Sequence, residues 1–154
     1  KFKKEINHLL SKLKYKNETF VHRDFHVSNL MYVKGKIAII DSQDALIGNK
    51  AYDLASLVDD VRLKTSNQFK KKVYDLFLNM NKNIKKENFK NDFEILSVLR
   101  NLKIIGIFTR LAIRDNKKKY LRLIPYAWEM IIFRMKNNKV FNNLNSLLKK
   151  NFLK

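Results

Sequence analysis

The stretch VHRDFHVSNL, residues 21–30, places two histidines, an arginine, an aspartate and an asparagine between the apolar residues Val21 and Leu30. The two apolar ends have the character of buried positions. Immediately before the polar part, TFV (19–21) predicts a short strand, and residues 22–29 predict a loop. The sequence therefore predicts a loop of polar side chains held at the edge of a core, where functional groups are commonly found.

A β-hairpin is predicted directly after this loop. Two short apolar runs, 30–33 and 37–40, flank the segment 34–36. Its central residue, Gly35, can supply the positive φ that a tight turn requires. A turn centred on Gly35 makes residues that are equally far from it face each other across the hairpin.

With this turn, Leu30 pairs with Ile40, and Asn29 and Asp41 lie opposite each other at the open end of the hairpin. Antiparallel partners are about 4.5–5.5 Å apart. An amide oxygen and a carboxylate at that separation suit Mg²⁺, which takes few protein ligands and completes its shell with substrate phosphates. Asp24 is close enough in sequence to face the same point, where a carboxylate can orient a hydroxyl nucleophile and accept its proton.

The rest of the chain shows mainly helical patterns, with apolar residues recurring at helical spacing. We see neither an internal repeat nor a linker, which predicts one domain over residues 1–154. The fold class predicted from the residues is mainly α with a small β-hairpin. Residues 41–50 are expected to form a loop, and the predicted helices cover residues 1–14, 51–63, 66–82, about 93–114 (capped by Asn91 or Asp92), 119–136 and 140–152.

Composition narrows the classes of function. The 154 residues are 45% hydrophobic and carry a net charge of +19. The basic residues are mostly lysines scattered along the chain, without an aromatic RNA-stacking motif, a zinc finger or a basic-region helix, so nonspecific attraction to polyanions is predicted but specific nucleic-acid binding is not. The runs KKK at 70–72 and 117–119 are expected to be solvent-exposed.

No apolar run approaches the roughly 20 residues that a membrane span requires. The start of the sequence has no signal-peptide pattern, and there are no cysteines. A disulfide-stapled secreted fold is therefore not indicated. We predict a cytoplasmic protein without membrane contact.

The residues His22-Arg23-Asp24 and Asn29, followed past the hairpin by Asp41, match the kinase catalytic-loop pattern H-R-D-x4-N except that Phe25 follows the Asp. Together with YDLASL (52–57) and other segments between residues 1 and 130, they make the chain similar to the aminoglycoside phosphotransferase/choline-kinase-like superfamily. Within it, the chain most resembles the bacterial anomeric kinases for N-acetylmuramate and N-acetylglucosamine, which serve cell-wall sugar recycling.

The resemblance implies the C-terminal lobe of a protein-kinase-like (α+β) fold and a small-molecule kinase. Asp24 is then the catalytic base, Asn29 and Asp41 bind Mg²⁺ and through it ATP or another nucleoside triphosphate, and Asp53 ties the loop to the helix behind it. Ser42 departs from the aromatic residue usual after the metal-binding Asp. Contact with the small-molecule acceptor is implied for His26, Asp44, Arg110 and Arg114.

Plainer alternatives exist for several of these residues. His22 and Arg23 can simply support the loop, and His22, Asp24 and His26 are also possible zinc ligands. The aspartates 41 and 44 are also typical of turns, and Asp53 suits the first turn of a helix. Arg110 and Arg114 suit a solvated helix face.

The chain opens at Lys1 within a predicted helix, and it contains no Gly-rich phosphate loop or strand lysine. The resemblance implies that a preceding β-rich N-terminal lobe carries them, so the chain alone is expected to turn over little ATP. Other acceptors compatible with the same chemistry are aminoglycosides, choline and homoserine. A noncatalytic basic binding protein that retains a kinase-like lobe is the alternative from a different class.

Overall fold

The computed structural model describes residues 1–152, and helices dominate this part of the chain. Two small antiparallel strand pairs lie near its start. The strands are β1 (Thr19–Val21), β2 (Leu30–Val33), β3 (Lys36–Ile39) and β4 (Leu46–Gly48). The helices of the described residues are α1 (Phe2–Ser11), α2 (Tyr52–Val58), α3 (Asn67–Met80), α4 (Lys86–Arg114), α5 (Ile124–Met135) and α6 (Asn142–Asn151), with short 3₁₀ segments at Val27–Asn29, Lys118–Leu123 and Lys139–Phe141.

Local chemistry accounts for several helix starts. The Ser66 hydroxyl accepts a hydrogen bond from the backbone N–H of Phe69 at 3.1 Å and caps α3. Pro125 lies in the first turn of α5, where its missing N–H has no intrahelical partner to lose. The predicted mainly α architecture with a small hairpin is confirmed.

The strand β4 is absent from the predicted elements, because residues 41–50 were expected to form a loop. It pairs antiparallel with β1, with Thr19 opposite Gly48 and Val21 opposite Leu46. A Cβ atom added at Gly48 would come within 3.0 Å of the Val21 side chain. The glycine that favours a loop in the sequence therefore serves close strand packing.

Helix α4 begins earlier than predicted, at Lys86, and Asp92 lies inside it. The prediction that Asn91 or Asp92 caps this helix was wrong. The fully buried Asp92 carboxylate accepts the backbone N–H groups of Lys14 at 2.8 Å and Tyr15 at 2.9 Å. Asp92 thus fixes the segment after α1. The contact joins residues that are far apart in sequence, so no local pattern indicates it.

The core is arranged along α4, whose 29 residues extend about 44 Å. One apolar cluster joins it to α1, α5 and α6 and includes Ile95 and Ile131. A second joins it to α2 and α3 through Phe89 and Phe93, each worth about 1.5–3 kcal/mol of burial free energy. A third, around Phe108, packs against α5. Helix α4 is thereby the central helix on which the other helices pack.

A buried ion cluster links four helices. The Asp59 carboxylate, just after α2, is fully buried and binds the Arg134 guanidinium of α5 through two contacts of 2.7 and 3.0 Å. Ser97 of α4 donates to it at 2.6 Å, and the Lys70 ammonium of α3 lies 3.5 Å away. The prediction that all of the lysines 70–72 are exposed was wrong for Lys70, because this residue lies on the inward face of α3, one turn before Val73.

None of the helices in residues 1–152 combines the length and the apolar character needed to cross a membrane.

Candidate active site

The hairpin that carries the site is one residue out of the predicted register. Leu30 pairs with Ile39 and not with Ile40, so the turn contains only Lys34 and Gly35. Both turn residues have positive φ, 47° and 79°, as a type I′ turn requires, and this turn matches the twist of the strands. The predicted register was wrong because it assumed a turn centred on one residue.

Asn29 and Asp41 consequently do not face each other as strand partners. The N–H of Ile40 donates to the carbonyl of Asn29 at 3.1 Å, which puts Asp41 one position, or about 3.3 Å, further along. A regular strand would turn its side chain to the opposite face. Asp41 has a φ of 71°, and this left-handed backbone breaks the alternation at the open end of the hairpin.

The side-chain amide of Asn29 is fixed in one orientation. Asn29 is buried, and its Nδ2 donates to the backbone carbonyl of Asp24 at 2.9 Å. The N–H of His26 donates to the same carbonyl at 3.0 Å. The amide nitrogen is thereby committed, and Oδ1 of Asn29 is the atom left for a cation. The Asp24 backbone is held twice while the residue itself stays exposed.

Asp53, in the first turn of α2, holds the beginning of the loop. Its carboxylate accepts the backbone N–H groups of His22 at 2.7 Å and Arg23 at 3.1 Å. Arg23 has a positive φ of 72°, a conformation that costs a non-glycine residue about 1 kcal/mol or more. The buried His22 ring joins the loop to the hairpin through Nε2 and the Ile40 carbonyl, 3.0 Å apart.

Replacing Asp53 with Ala should lower the free energy of unfolding by about 1–3 kcal/mol, because two part-buried N–H groups lose their acceptor. Thermal unfolding measures this change. Glu87→Ala is the matched control, because Glu87 is an exposed carboxylate in the first turn of α4. Equal destabilisation by both variants would mean that Asp53 contributes only through its favourable interaction with the dipole of α2, and not by holding the loop.

A second carboxylate, which the sequence analysis did not select, anchors the other end of the loop. Asp60 is buried and accepts the backbone N–H of Val27 at 3.2 Å. The N–H and Nη1 of Arg62 also donate to it, at 3.1 and 3.2 Å. The available signal was the pair of aspartates 59 and 60 at the C-terminal end of α2, where the dipole disfavours negative charge and specific partners are needed.

His26 is a residue of the loop itself and is buried. Its pKa is lowered from 6.5, first by burial and then by the nearby charge of Arg62, with a smaller contribution from Arg100. Its Nδ1 has no hydrogen-bond partner within residues 1–152. Burial and the nearby arginines therefore favour the neutral ring, which retains an unused polar atom within the loop.

The other predicted acceptor contacts are on the surface. Asp44 is exposed, and its carbonyl accepts Nη1 of Arg23 at 3.3 Å. Arg110 and Arg114 are exposed at the end of α4, and Arg114 forms two contacts of 2.6 and 3.0 Å with Asp115. The contact of Asp44, Arg110 and Arg114 with an acceptor stays a prediction.

Among the residues the structure describes, no three His, Cys, Asp or Glu side chains are grouped so that they could hold a metal ion. The zinc alternative for His22, Asp24 and His26 therefore has no support. The pair Asn29 and Asp41 is of a different kind, since one ligand is an amide. The Asn29 Oδ1 and the exposed Asp41 carboxylate, one oxygen of which accepts Gln43 Nε2 at 2.6 Å, are oxygen ligands of the kind that Mg²⁺ takes together with water and phosphates.

An exposed aspartate on a loop, an oriented asparagine five residues later and an aspartate just past a short hairpin are the catalytic elements of kinase-like phosphotransferases. Residues 1–77 match the phosphotransferase enzyme family known as APH. The chain belongs to this family.

Curated relatives carry one name. The chain is 37% identical over 129 residues to an N-acetylmuramate/N-acetylglucosamine kinase of Neisseria meningitidis, covering 78% of this chain and 38% of the relative. It is 32% identical over 114 residues to the kinase of the same name from Caulobacter vibrioides, covering 71% of the chain and 31% of the relative. It is 33% identical over 114 residues to the kinase of the same name from Pseudomonas aeruginosa, covering 69% of the chain and 33% of the relative. The chain thus spans about a third of the length of these relatives.

Proposed function

We propose that this chain is the C-terminal lobe of an ATP-dependent phosphotransferase, with residues 1–154 forming one domain. The observation that carries the proposal is the bond between the Asn29 amide and the Asp24 carbonyl, 2.9 Å long. It fixes the side chain of the proposed cation ligand against the backbone of the residue that carries the proposed base. Membership of the phosphotransferase enzyme family supports the same reaction class.

In this proposal, Asn29 Oδ1 and the Asp41 carboxylate hold Mg²⁺, which neutralises the charge of the transferred phosphoryl group. Asp24 accepts a hydrogen bond from the acceptor hydroxyl, orients its oxygen toward the phosphorus and takes its proton. Asp53 and Asp60 keep both ends of the loop in place. Catalysis rests on positioning and on charge stabilisation, as is general for phosphoryl transfer.

We propose an amino sugar as the acceptor, because the relatives are named N-acetylmuramate/N-acetylglucosamine kinase. The anomeric hydroxyl is the proposed site of phosphorylation. A cytoplasmic location and a role in the recycling of cell-wall sugars follow from that choice of acceptor.

We also propose that a nucleotide-binding lobe covers the strands. Apolar side chains on both strand pairs are largely exposed: Phe20 at 64% and Ile47 at 60% on the first pair, and Tyr32 at 76% and Ile37 at 62% on the second. Exposed apolar patches of this kind mark interaction surfaces. The matched segment covers only about a third of each relative, which leaves room for such a lobe in the complete protein.

The test is ATP consumption by the complete protein with Mg²⁺ and a panel of acceptors. We expect turnover with N-acetylmuramate or N-acetylglucosamine, and none with choline, homoserine or an aminoglycoside. Chelation with EDTA should stop the reaction, and added Mg²⁺ should restore it. If only choline, homoserine or an aminoglycoside is turned over, the proposed class of acceptor is wrong. If no compound is turned over, a noncatalytic binding protein is favoured.

A further inference from the structure

We propose that Arg100, on α4, binds an anionic oxygen group of the ligand in this site, either a carboxylate or the transferred phosphoryl group. The inference rests on the proposed function and assigns it a further binding residue. It starts from a side chain whose local environment is otherwise unexplained.

Arg100 is only 6% exposed. Its Nη1 is buried without a hydrogen-bond partner within residues 1–152. Buried arginines are normally paired, and an unpartnered buried donor costs about 1–3 kcal/mol. Within residues 1–152, the other buried lysine or arginine, Lys70, and the part-buried Arg134 both bind Asp59. A buried guanidinium with an unused donor is what a site for an absent anion requires.

On α4, Arg100 lies between Ser97, which donates to Asp59 at 2.6 Å, and Ile104, which packs in one cluster with Val61. This face of α4 therefore meets the segment that contains Asp60, the residue that holds the loop at Val27.

The pKa of Arg100 is lowered, chiefly by burial, and the charges of Tyr52, Asp60 and Asp24 act against this shift. The carboxylate of Asp60 is already bound to Val27 and Arg62. Arg100 also acts on the pKa of His26, whose Nδ1 is the second unpartnered polar atom in this region. Two buried polar atoms without a partner in residues 1–152, Nη1 of Arg100 and Nδ1 of His26, thus belong to the region that Asp60 joins to the loop.

The guanidinium fork selects the class of ligand. It matches the two oxygens of a carboxylate or a phosphoryl group and binds them through parallel hydrogen bonds. The two proposed acceptor sugars distinguish a bound carboxylate from a bound phosphoryl group, because N-acetylmuramate carries a carboxylate and N-acetylglucosamine does not. Both reactions transfer the same phosphoryl group.

The test compares Arg100→Met with Lys103→Met in the complete protein; Lys103 is an exposed cation on the same helix. If Arg100 binds the carboxylate, KM for N-acetylmuramate rises about 10- to 100-fold and KM for N-acetylglucosamine does not change. If it binds the phosphoryl group, kcat falls by a similar factor for both sugars. Arg100→Lys should recover part of either loss. Kinetics within twofold of the unchanged protein for both sugars would overturn the proposal.

Thermal unfolding separates binding from structural support. Because Nη1 of Arg100 has no partner to lose, Arg100→Met should leave the unfolding midpoint unchanged or raise it. A midpoint lowered by several degrees relative to Lys103→Met would show a structural role and overturn the proposal.

A third measurement needs no turnover. Lactate and inorganic phosphate, titrated at ionic strength matched with chloride, should raise the midpoint of the unchanged protein and of Lys103→Met but not that of Arg100→Met. Equal shifts in all three would mean nonspecific binding to a basic protein and would overturn the inference. If the unchanged protein phosphorylates neither sugar, the proposed function fails, and this titration still decides whether Arg100 binds anions.

Discussion

Asp24→Ala should lower kcat of the complete protein by about 100- to 10,000-fold, the range that a positioned general base contributes. The fold should be unaffected, because the contacts that hold Asp24 are made by its backbone carbonyl, which accepts hydrogen bonds from Asn29 and His26. The carboxylate itself belongs to an exposed residue. Initial rates with a sugar acceptor and saturating ATP measure the effect.

Glu18→Ala is the control for this variant, since Glu18 is an exposed carboxylate close to the loop in sequence. It should retain the rate of the unchanged protein. Circular dichroism and thermal unfolding of Asp24→Ala should match those of this control. A variant that keeps more than about a tenth of kcat while folding normally would remove Asp24 from the role of base.

Asp59→Ala should destabilise the fold by about 3–5 kcal/mol, because it leaves the charges of Lys70 and Arg134 buried without their partner. For a protein of this size, the unfolding midpoint should fall by about 10 °C. The comparison variant is Asp75→Ala, which removes the exposed ion pair with Lys71 and should change the free energy of unfolding by about 1 kcal/mol or less.

A triple variant tests the cause of this loss. Asp59→Leu, Lys70→Met and Arg134→Met together remove all the charges of the cluster. Because apolar replacement of a buried ion group is often neutral or stabilising, the triple variant should be more stable than Asp59→Ala. If it is no more stable, lost packing and not unpaired charge explains the single variant.

The loop over residues 22–29 could be predicted from the sequence because its signal is local. His22, Asp24 and Asn29 have fixed spacing within one loop, and the hairpin is marked by two apolar runs around Gly35. The register could not be predicted with the same ease, since a two-residue turn and a turn centred on one residue are both compatible with Lys34-Gly35-Lys36. The difference depends on whether Lys34 takes up a positive φ, and it does, at 47°.

The partners of buried charged residues could not be predicted, because they come from distant segments. The Asp92 carboxylate binds the backbone of the segment after α1. The Lys70 ammonium of α3 forms a buried ion pair with Asp59, which follows α2. Arg100 lies within an apolar stretch of α4, where a lone arginine resembles an ordinary helix residue. Arg110 and Arg114 were selected through the family resemblance; both are exposed, and their contact with an acceptor stays a prediction.

The hydrogen bond from the Asn29 side chain to the backbone carbonyl of Asp24 ties together two loop positions that are five residues apart. Asp53 and Asp60, at the two ends of α2, hold the two ends of the same loop. A displacement of α2 should therefore carry both positions together, and movements of the more distant helices should leave their spacing unchanged.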